Sequence, residues 1–235
     1  MKLIKAALVV GCACVGGTTS LMAQEFTGAE VFIGGLIEDG TGFSEVTDIY
    51  GASVELSFGR FGIQGDVSNR NFEIGDNIPS WGLHGIYAAT DELKLGLHYG
   101  EETWSGQRYS NIGAELAWDR GPWGLEAWVT RDSGIDVDWL SVVSAAKATY
   151  SFNEAFSLHG KIAFSGGDNN TRYYGVGGSW QHDSGLFVRL DAGHFDYSRR
   201  NKSVDVYALR VGYEFGNGVS FNHRNSNESL SGYGN

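Results

Sequence analysis

The stretch YALRVGYEF, residues 207 to 215, alternates between two kinds of side chain. Its odd-numbered positions are all apolar or aromatic, whereas its even-numbered positions include Arg210 and Glu214. Successive side chains of a β-strand point to opposite faces of the sheet, so this pattern predicts a strand with one apolar and one polar face. In a soluble sandwich the apolar face would look into a core, whereas in a membrane barrel it faces lipid and the polar face lines the lumen. The rest of the chain distinguishes these two environments.

The first 23 residues have the organisation of a secretory signal peptide. Lys2 and Lys5 precede an apolar run, and small residues around Ala23 form the expected cleavage site. We therefore predict that residues 1–23 are cleaved during export. A lipoprotein site at Cys12 is the competing interpretation, but it would leave an apolar run of only about five residues. Both cysteines of the chain lie in this segment, so we expect no disulfide and no cysteine-based metal site in the mature protein.

The composition is that of an acidic chain with many glycines. It has 17 basic and 28 acidic side chains, a formal net charge of −11, 35 glycines and two prolines. An acidic surface repels phosphate backbones, so we expect no nucleic-acid partner. No segment after residue 24 reaches about 18 consecutive apolar residues, so a membrane crossing would need strands closed into a barrel. We expect one domain over residues 24–215, followed by a tail or extra short strands over residues 216–235.

Strand-like segments recur along the predicted mature chain at intervals of about ten to fifteen residues. Their lengths match the roughly 9 to 11 residues that a tilted strand needs to cross a bilayer. Tight turns alternate with longer polar segments, which we expect to be loops, as at residues 38–47, 71–80 and 132–140. This arrangement predicts an all-β fold, a transmembrane antiparallel up-and-down β-barrel with its short turns on the periplasmic side. We expect about 12 strands, with 14 as the alternative if the tail adds two.

Aromatic residues flank the tight turns on the apolar faces of the predicted strands. A second group, including Tyr50 and Tyr207, lies near the opposite strand ends. Two belts of this kind are typical of the girdles at lipid headgroup level, whereas aromatics in a soluble core would have no preference for strand ends. The predicted lipid-interface aromatics at the turns are Phe58, Phe61, Trp118, Trp123, Phe152, Phe156, Trp180 and Phe215.

Over the whole predicted mature chain, the sequence resembles small Gram-negative porin-like outer-membrane proteins. The resemblance rests on the phrases VELSFGRFGIQGDV and LRVGYEFGNGVSF and on the repeated hairpin unit. Phe215 also ends an alternating strand, as the closing strand of such proteins typically does. The resemblance implies an up-and-down barrel in the bacterial outer membrane and passive diffusion of small hydrophilic solutes. General porins are longer, with roughly 16 strands, and here the chain continues past Phe215.

The alternation also predicts which charged side chains point inward. Acidic residues dominate the early strands and basic residues the later ones, so an open pore would have opposed walls and a transverse field. The alternative is that these charges pair across the interior and fill it. The predicted pore-lining residues are Glu55, Asp66, Lys94, Glu115, Glu126, Lys147, Lys161, Arg189, Asp191, Arg210 and Glu214.

Patterns of catalysis and metal binding are weak in this sequence. A barrel hydrolase would place a histidine and a serine two positions apart on one strand, whereas His223 and Ser226 are three apart and would point to opposite faces. The histidines show no HxH or HxxxH spacing. We therefore expect no catalytic residue, no metal site and no cofactor.

These observations predict an outer-membrane channel for small hydrophilic solutes or ions. A non-conducting barrel with a structural or adhesive role is the alternative, and an outer-membrane lipid hydrolase has the least support. Expected partners are outer-membrane lipid and lipopolysaccharide together with the solutes. Arg199, Arg200 and Lys202 could contact lipopolysaccharide phosphates or form a solvated charge run. The solute, the pore radius and the formation of a homo-oligomer stay open.

Overall fold

The computed structural model describes residues 25–40, 43–73, 77–136, 138, 140–167, 170–197 and 202–221. The described residues form twelve strands. In chain order these are β1 Glu25–Gly40, β2 Phe43–Phe58, β3 Phe61–Phe72, β4 Asn77–Ala88, β5 Leu93–Trp104, β6 Gln107–Arg120, β7 Trp123–Gly134, β8 Leu140–Ser151, β9 Phe156–Gly167, β10 Thr171–Gln181, β11 Leu186–Tyr197 and β12 Lys202–Gly216. Within this part of the chain, no helix is long and apolar enough to cross a membrane. The predicted signal peptide and the pair His223 and Ser226 lie outside the described residues.

Each strand pairs antiparallel with its neighbours in the chain, and β1 pairs with β12 to close a barrel. The closing register runs from Gly28 opposite Gly216 to Gly40 opposite Val204. Closure gives the backbone N–H and C=O groups of every strand a partner strand on both sides, which is a requirement for strands in a hydrocarbon environment. The predicted all-β up-and-down barrel is confirmed, and twelve strands rather than fourteen close it. The fourteen-strand alternative would place Val219–His223 in a thirteenth strand, but Val219, Ser220 and Phe221 are not in a strand.

The end of the barrel that carries Glu25 and Gly216 is built from short turns, and we call it the turn end. Glycines with positive φ form two of these turns, Gly59 at 66° and Gly121 at 59°, a conformation that side chains with a Cβ rarely adopt. At a third turn, the Asn153 side chain accepts hydrogen bonds from the backbone N–H groups of Ala155 and Phe156, each at 2.9 Å. Such local bonds fix the turn without help from the rest of the barrel.

The opposite end, which we call the far end, differs from the prediction of long loops. The predicted loop over residues 38–47 is wrong, because β1 and β2 remain paired there and place Glu38 opposite Glu45. The predicted loops at 71–80 and 132–140 are likewise shortened by β3, β4 and β7. Polar side chains beyond the apolar band do not end a strand, because the backbone hydrogen bonds of the ladder continue wherever both partners are present.

The two faces of each strand have opposite environments. On β12, Tyr207 is 52% exposed and Leu209 is 46% exposed. Arg210 lies on the opposite face of the same strand and is only 7% exposed. Phe61, Leu97, Val176 and other large apolar side chains around the outside are exposed in the same way. A water-soluble protein rarely exposes so large a continuous apolar surface, whereas a barrel in lipid requires it. The opening stretch therefore has its apolar face outside and its charged face in the lumen.

The predicted aromatics at the turns lie on the outer surface of the turn end. Phe61, Trp123, Phe152, Phe156 and Phe215 are exposed, and the other three are half-buried. Trp123 packs edge-on against Tyr150, and Tyr150 packs against Phe152 in the same way. Their role at a lipid interface stays a prediction.

Candidate functional site: the barrel lumen

The lumen is lined by the inward-facing positions of the twelve strands, and its chemistry changes along the barrel axis. Most charged lumen side chains lie in the half next to the turn end, whereas the far half combines a large group of apolar side chains with buried charged residues such as Arg70, Glu102 and Asp132. Several inward positions are glycines that make room for a bulky neighbour. A Cβ on Gly113 would lie 2.6 Å from the His98 ring, and one on Gly96 would lie 2.5 Å from Glu115. Glycine at these positions therefore allows large polar groups to pack closely inside a narrow barrel.

A group of four buried polar side chains lies on the β3 to β6 side, and we call it the His84 cluster: Asp66, His84, His98 and Glu115. His84 Nε2 lies 2.5 Å from Asp66 Oδ2, and His84 Nδ1 lies 2.6 Å from Glu115 Oε1. His98 Nδ1 lies 3.4 Å from Glu115 Oε2. His84 and His98 are directly opposite each other in the β4–β5 register, so the strand pairing itself brings the two imidazoles together.

A second charged group lies on the other side of the lumen, around Arg189 on β11. Its guanidinium donates to Glu214 at 2.6 Å and to Glu30 at 3.1 Å, and the Gln181 side chain also donates to Glu214 at 2.7 Å. Glu30 is almost fully buried. A carboxylate at such a position needs a charged partner, because desolvation of an unpaired charge costs several kcal/mol.

Other ion pairs also follow the wall of the barrel. Lys147 lies 2.5 Å from Glu126 on the adjacent strand, and Arg70 on β3 lies 2.8 Å from Glu102 on β5. His159 on β9 lies 2.6 Å from Asp191 on β11. The predicted division into an acidic and a basic wall is therefore wrong for these groups. Lys147 and Arg70 are each matched by a carboxylate nearby on the same side, so these charges neutralise each other locally.

A large group of buried apolar side chains, which we call the apolar cluster, lies on β1, β2, β7 to β9, β11 and β12, with most of its members toward the far end. Phe195 is 3% exposed although it points into the lumen. Lys161 adjoins this cluster with its ammonium 5.2 Å from the ring centres of both Trp128 and Tyr173, a distance suited to cation–π attraction. The members of the apolar cluster are Phe32, Leu36, Ile49, Trp128, Val143, Ala145, Ala163, Phe187, Phe195, Tyr197, Val204, Val206 and Ala208.

The chain turns into the lumen after β12, and residues 217–221 form a segment that we call the inner segment. Phe221 at its end is fully buried against Ile86 and Ala117. The Gln64 side chain donates to the Phe221 carbonyl at 2.5 Å and accepts from the Phe221 N–H at 3.1 Å. Since Gln64 is also fully buried, this pair of bonds satisfies its amide.

Further contacts attach the inner segment to charged groups of the wall. The Ser220 N–H donates to Glu55 at 2.6 Å, and the Lys94 ammonium donates to the Ser220 hydroxyl at 2.7 Å. The Phe221 ring stacks on His84 with the ring centres 6.0 Å apart and an interplanar angle of 14°. The inner segment therefore covers the His84 cluster from the lumen side.

A polar cavity of about 400 Å³ lies between the inner segment and the opposite wall. It reaches the turn end, because the exposed turn residues Gly121 and Pro122 form part of its lining. Charged groups of both signs line it, including Lys147, Arg189 and Asp191, together with serine and threonine hydroxyls. The cavity can therefore hold water and small polar molecules that present both donors and acceptors.

All eleven predicted pore-lining side chains point into the barrel, in the contacts or the cavity described above. Arg210, for example, lines the cavity and has its guanidinium 5.6 Å from the Phe32 ring centre. Their function as the lining of a pore stays a prediction. Sequence reasoning missed His84 and Gln64, although the alternation of β4 and β3 places both side chains inward, and it missed Phe221, whose position depends on the path of the tail. Contact with lipopolysaccharide and formation of a homo-oligomer also stay predictions.

No protein-family model and no curated protein sequence matches the chain. Solved barrels do resemble it in structure. A KdgM porin in complex with disordered oligogalacturonate aligns with a TM-score of 0.62 at 12% identity, over 78% of this chain and 98% of that one. A NanC porin aligns with a TM-score of 0.63 at 12% identity, over the same shares of the two chains. The COG4313 outer membrane channel from Pseudomonas putida F1 has a TM-score of 0.60 at 10% identity, over 85% of this chain and all of that one. At these identities the likeness concerns the fold, which is that of small porin-like outer-membrane β-barrels.

Proposed function

We propose that this protein is a narrow channel of the bacterial outer membrane for small hydrophilic solutes or ions. The observation that carries the proposal is the polar cavity, which opens at the turn end and is lined by charges of both signs. A closed barrel with an apolar exterior has its natural place in an outer membrane, and a signal peptide over residues 1–23 would bring it there. The proposed activity is passage through the lumen, without a chemical reaction.

The size of the cavity limits the solute. Its volume of about 400 Å³ lies near the lower end of the roughly 300 to 1,000 Å³ that is usual for pockets that bind small molecules. This space suits a solute with the dimensions of an amino acid or a monosaccharide better than a polymer. One porin of similar fold was solved with oligogalacturonate. In this chain two of the cations that line the cavity, Lys147 and Arg189, are matched by carboxylates, so we propose neutral polar or zwitterionic solutes in place of strongly acidic ones.

Two features would restrict passage in the conformation described here. The apolar cluster fills part of the lumen, mostly toward the far end, and hydrophobic constrictions can gate a channel by excluding water. The inner segment occupies part of the half next to the turn end. Separation of side chains in the apolar cluster would widen the path, and displacement of the inner segment would widen it further.

The test is the conductance of the purified protein in a planar lipid bilayer under a salt gradient. Folding is checked first by heat-modifiable migration on gels. Discrete current steps with a defined reversal potential would support the channel. A correctly folded barrel that never conducts and does not release small solutes from liposomes would refute it.

A non-conducting barrel is the second candidate function, and one observation favours it. Lumen residues such as Phe195, Val204 and Glu30 are each less than 6% exposed, so much of the interior is filled as in narrow barrels. Such a barrel would have a structural or adhesive role at the cell surface. Absence of both conductance and solute release from a folded sample would select this function.

A further inference from the structure

We propose that the His84 cluster binds a divalent transition metal ion of the zinc class, with His84, His98 and Glu115 as the protein ligands. One ligand atom from each of these three side chains lies within 4.8 Å of the other two. All three residues are buried, and they come from the adjacent strands β4, β5 and β6. Two imidazoles with one carboxylate form a donor set that zinc favours, whereas calcium and magnesium prefer oxygen ligands alone. This proposal is independent of the channel function.

The orientation of the two imidazoles supports a metal site. Both rings direct Nδ1 toward the carboxylate of Glu115. The other nitrogen of each ring has a separate partner, because His84 Nε2 contacts Asp66 at 2.5 Å and His98 Nε2 lies 3.3 Å from the Thr130 hydroxyl. A histidine that ligates a metal through one ring nitrogen commonly donates a hydrogen bond from the other, and the acceptor is often a carboxylate. Asp66 and Thr130 would therefore orient the ligands without binding the ion.

The two carboxylates of the cluster would also be stabilised by a cation. His84 lies between two carboxylates, so acceptors face both of its ring nitrogens. A neutral imidazole has one N–H and therefore satisfies only one of the two acceptors. Either a second ring proton or a metal ion at Nδ1 removes this conflict. The metal has the advantage that it uses the Nδ1 atoms of both histidines together with the carboxylate between them.

The ligand atoms, which lie within 4.8 Å of one another, would have to move to accept an ion. A tetrahedral ion with bonds of about 2.0 to 2.1 Å holds its ligand atoms about 3.4 Å apart. His98 Nδ1 and Glu115 Oε2 already have a separation of 3.4 Å, and the 2.6 Å between His84 Nδ1 and Glu115 Oε1 would need to increase. The ring of Phe221 stacks on His84 and would shield the ion from the lumen. The fourth position would be taken by water or by the second carboxylate oxygen.

The experiment measures zinc binding to the untagged protein in detergent, after removal of metal with a chelator. Elemental analysis gives the stoichiometry, and competition with a chromogenic chelator gives the affinity. The wild-type protein should bind one zinc ion per chain. His98→Gln should weaken binding by about 100-fold or more, and Asp66→Asn by about 10- to 100-fold, as expected for a partner that orients a ligand. The matched control is His159→Gln, which changes another lumen histidine outside the cluster and should bind zinc like the wild type.

Wild-type protein without a stoichiometric zinc ion would overturn the proposal, and so would equal losses in His98→Gln and His159→Gln. The first result would mean that the cluster is a hydrogen-bonded ion network, and the second that zinc binds elsewhere. If the His98→Gln variant does not fold, spectroscopy of the wild-type protein loaded with Co²⁺ takes the place of the binding measurement on that variant. Its visible absorption should have the intensity of a four-coordinate site, and X-ray absorption should detect two imidazole ligands. An octahedral spectrum without imidazole would also reject the site.

Discussion

Neutralising one member of the Lys147–Glu126 pair should change the ion selectivity of the proposed channel, with opposite signs for the two members. Both side chains line the cavity, and their charged atoms lie 2.5 Å apart. Lys147→Gln leaves the carboxylate without its partner and should favour cations, whereas Glu126→Gln should favour anions. The double variant removes both charges and should behave like the wild type.

The size of the effect follows from the cavity volume. A sphere of the same volume, about 400 Å³, has a radius of about 4.6 Å, and two unit charges at that separation interact by about 0.9 kcal/mol in water. Loss of the lysine charge should therefore raise the cation permeability by a factor of about 4.6 and lower the anion permeability by the same factor. The ratio of cation to anion permeability should rise about twentyfold. A lower effective dielectric constant inside the barrel would make the change larger.

The assay is the reversal potential of single channels between 0.01 M and 0.1 M salt, where the Debye length of about 10 to 30 Å leaves the effect largely unscreened. A tenfold gradient gives a perfectly cation-selective channel about 60 mV, since 100 mV corresponds to about 2.3 kcal/mol per charge. A twentyfold change from a ratio near one would move the reversal potential by about 50 mV. Shifts of the same sign in both single variants, or no shift in either, would refute the assignment of this pair to the conducting path.

Three further changes test other parts of the structure. Phe221→Ala should weaken docking of the inner segment by about 3 to 5 kcal/mol, the usual cost of truncating a buried phenylalanine, and should increase channel conductance; unchanged current steps would exclude the segment as an obstruction. Arg189→Gln should lower the free energy of unfolding by about 3 to 5 kcal/mol, because it leaves buried carboxylates without their cation; urea titration in detergent with tryptophan fluorescence measures this, and a loss below about 1 kcal/mol would contradict it. Replacing Trp118 and Trp123 by alanine should impair insertion into lipid, because they would anchor the turn end at the headgroups. Normal heat-modifiable migration of that variant, compared with a Phe195→Leu control inside the lumen, would disprove the anchoring role.

The strand faces could be predicted from the sequence because they depend on a local rule. A period of two places Leu209 and Arg210 on opposite faces wherever the strand lies, so the apolar exterior followed from reading the chain alone. The strand ends near Glu38 could not be read in the same way. Polar side chains look like a loop in the sequence, but the ladder continues as long as the partner strand supplies hydrogen bonds.

The His84 cluster could not be found from spacing along the chain. Its two histidines are opposite each other in the β4–β5 register, and Glu115 reaches them from the next strand. Spacing motifs detect ligands that share one strand or helix, whereas the members of this group come together only through the registers of several strand pairs. The inward path of the tail had no sequence signal either, because it depends on Gln64 and Glu55 being available to bind the backbone of residues 220 and 221.

The fold and the lumen chemistry therefore carry different kinds of information about function. A barrel constrains the outward positions strongly, since they must be apolar, but it leaves the inward positions free to vary. Structural similarity to porins at 10 to 12% sequence identity thus says little about the solute. The solute has to be inferred from the contacts in the lumen. Here Lys147 and Arg189 are each held by carboxylates, so a singly charged solute meets groups that are already neutralised. Selection in such a lumen would depend on size and on the ability to replace local hydrogen bonds, which favours small solutes with several polar groups over a long acidic chain.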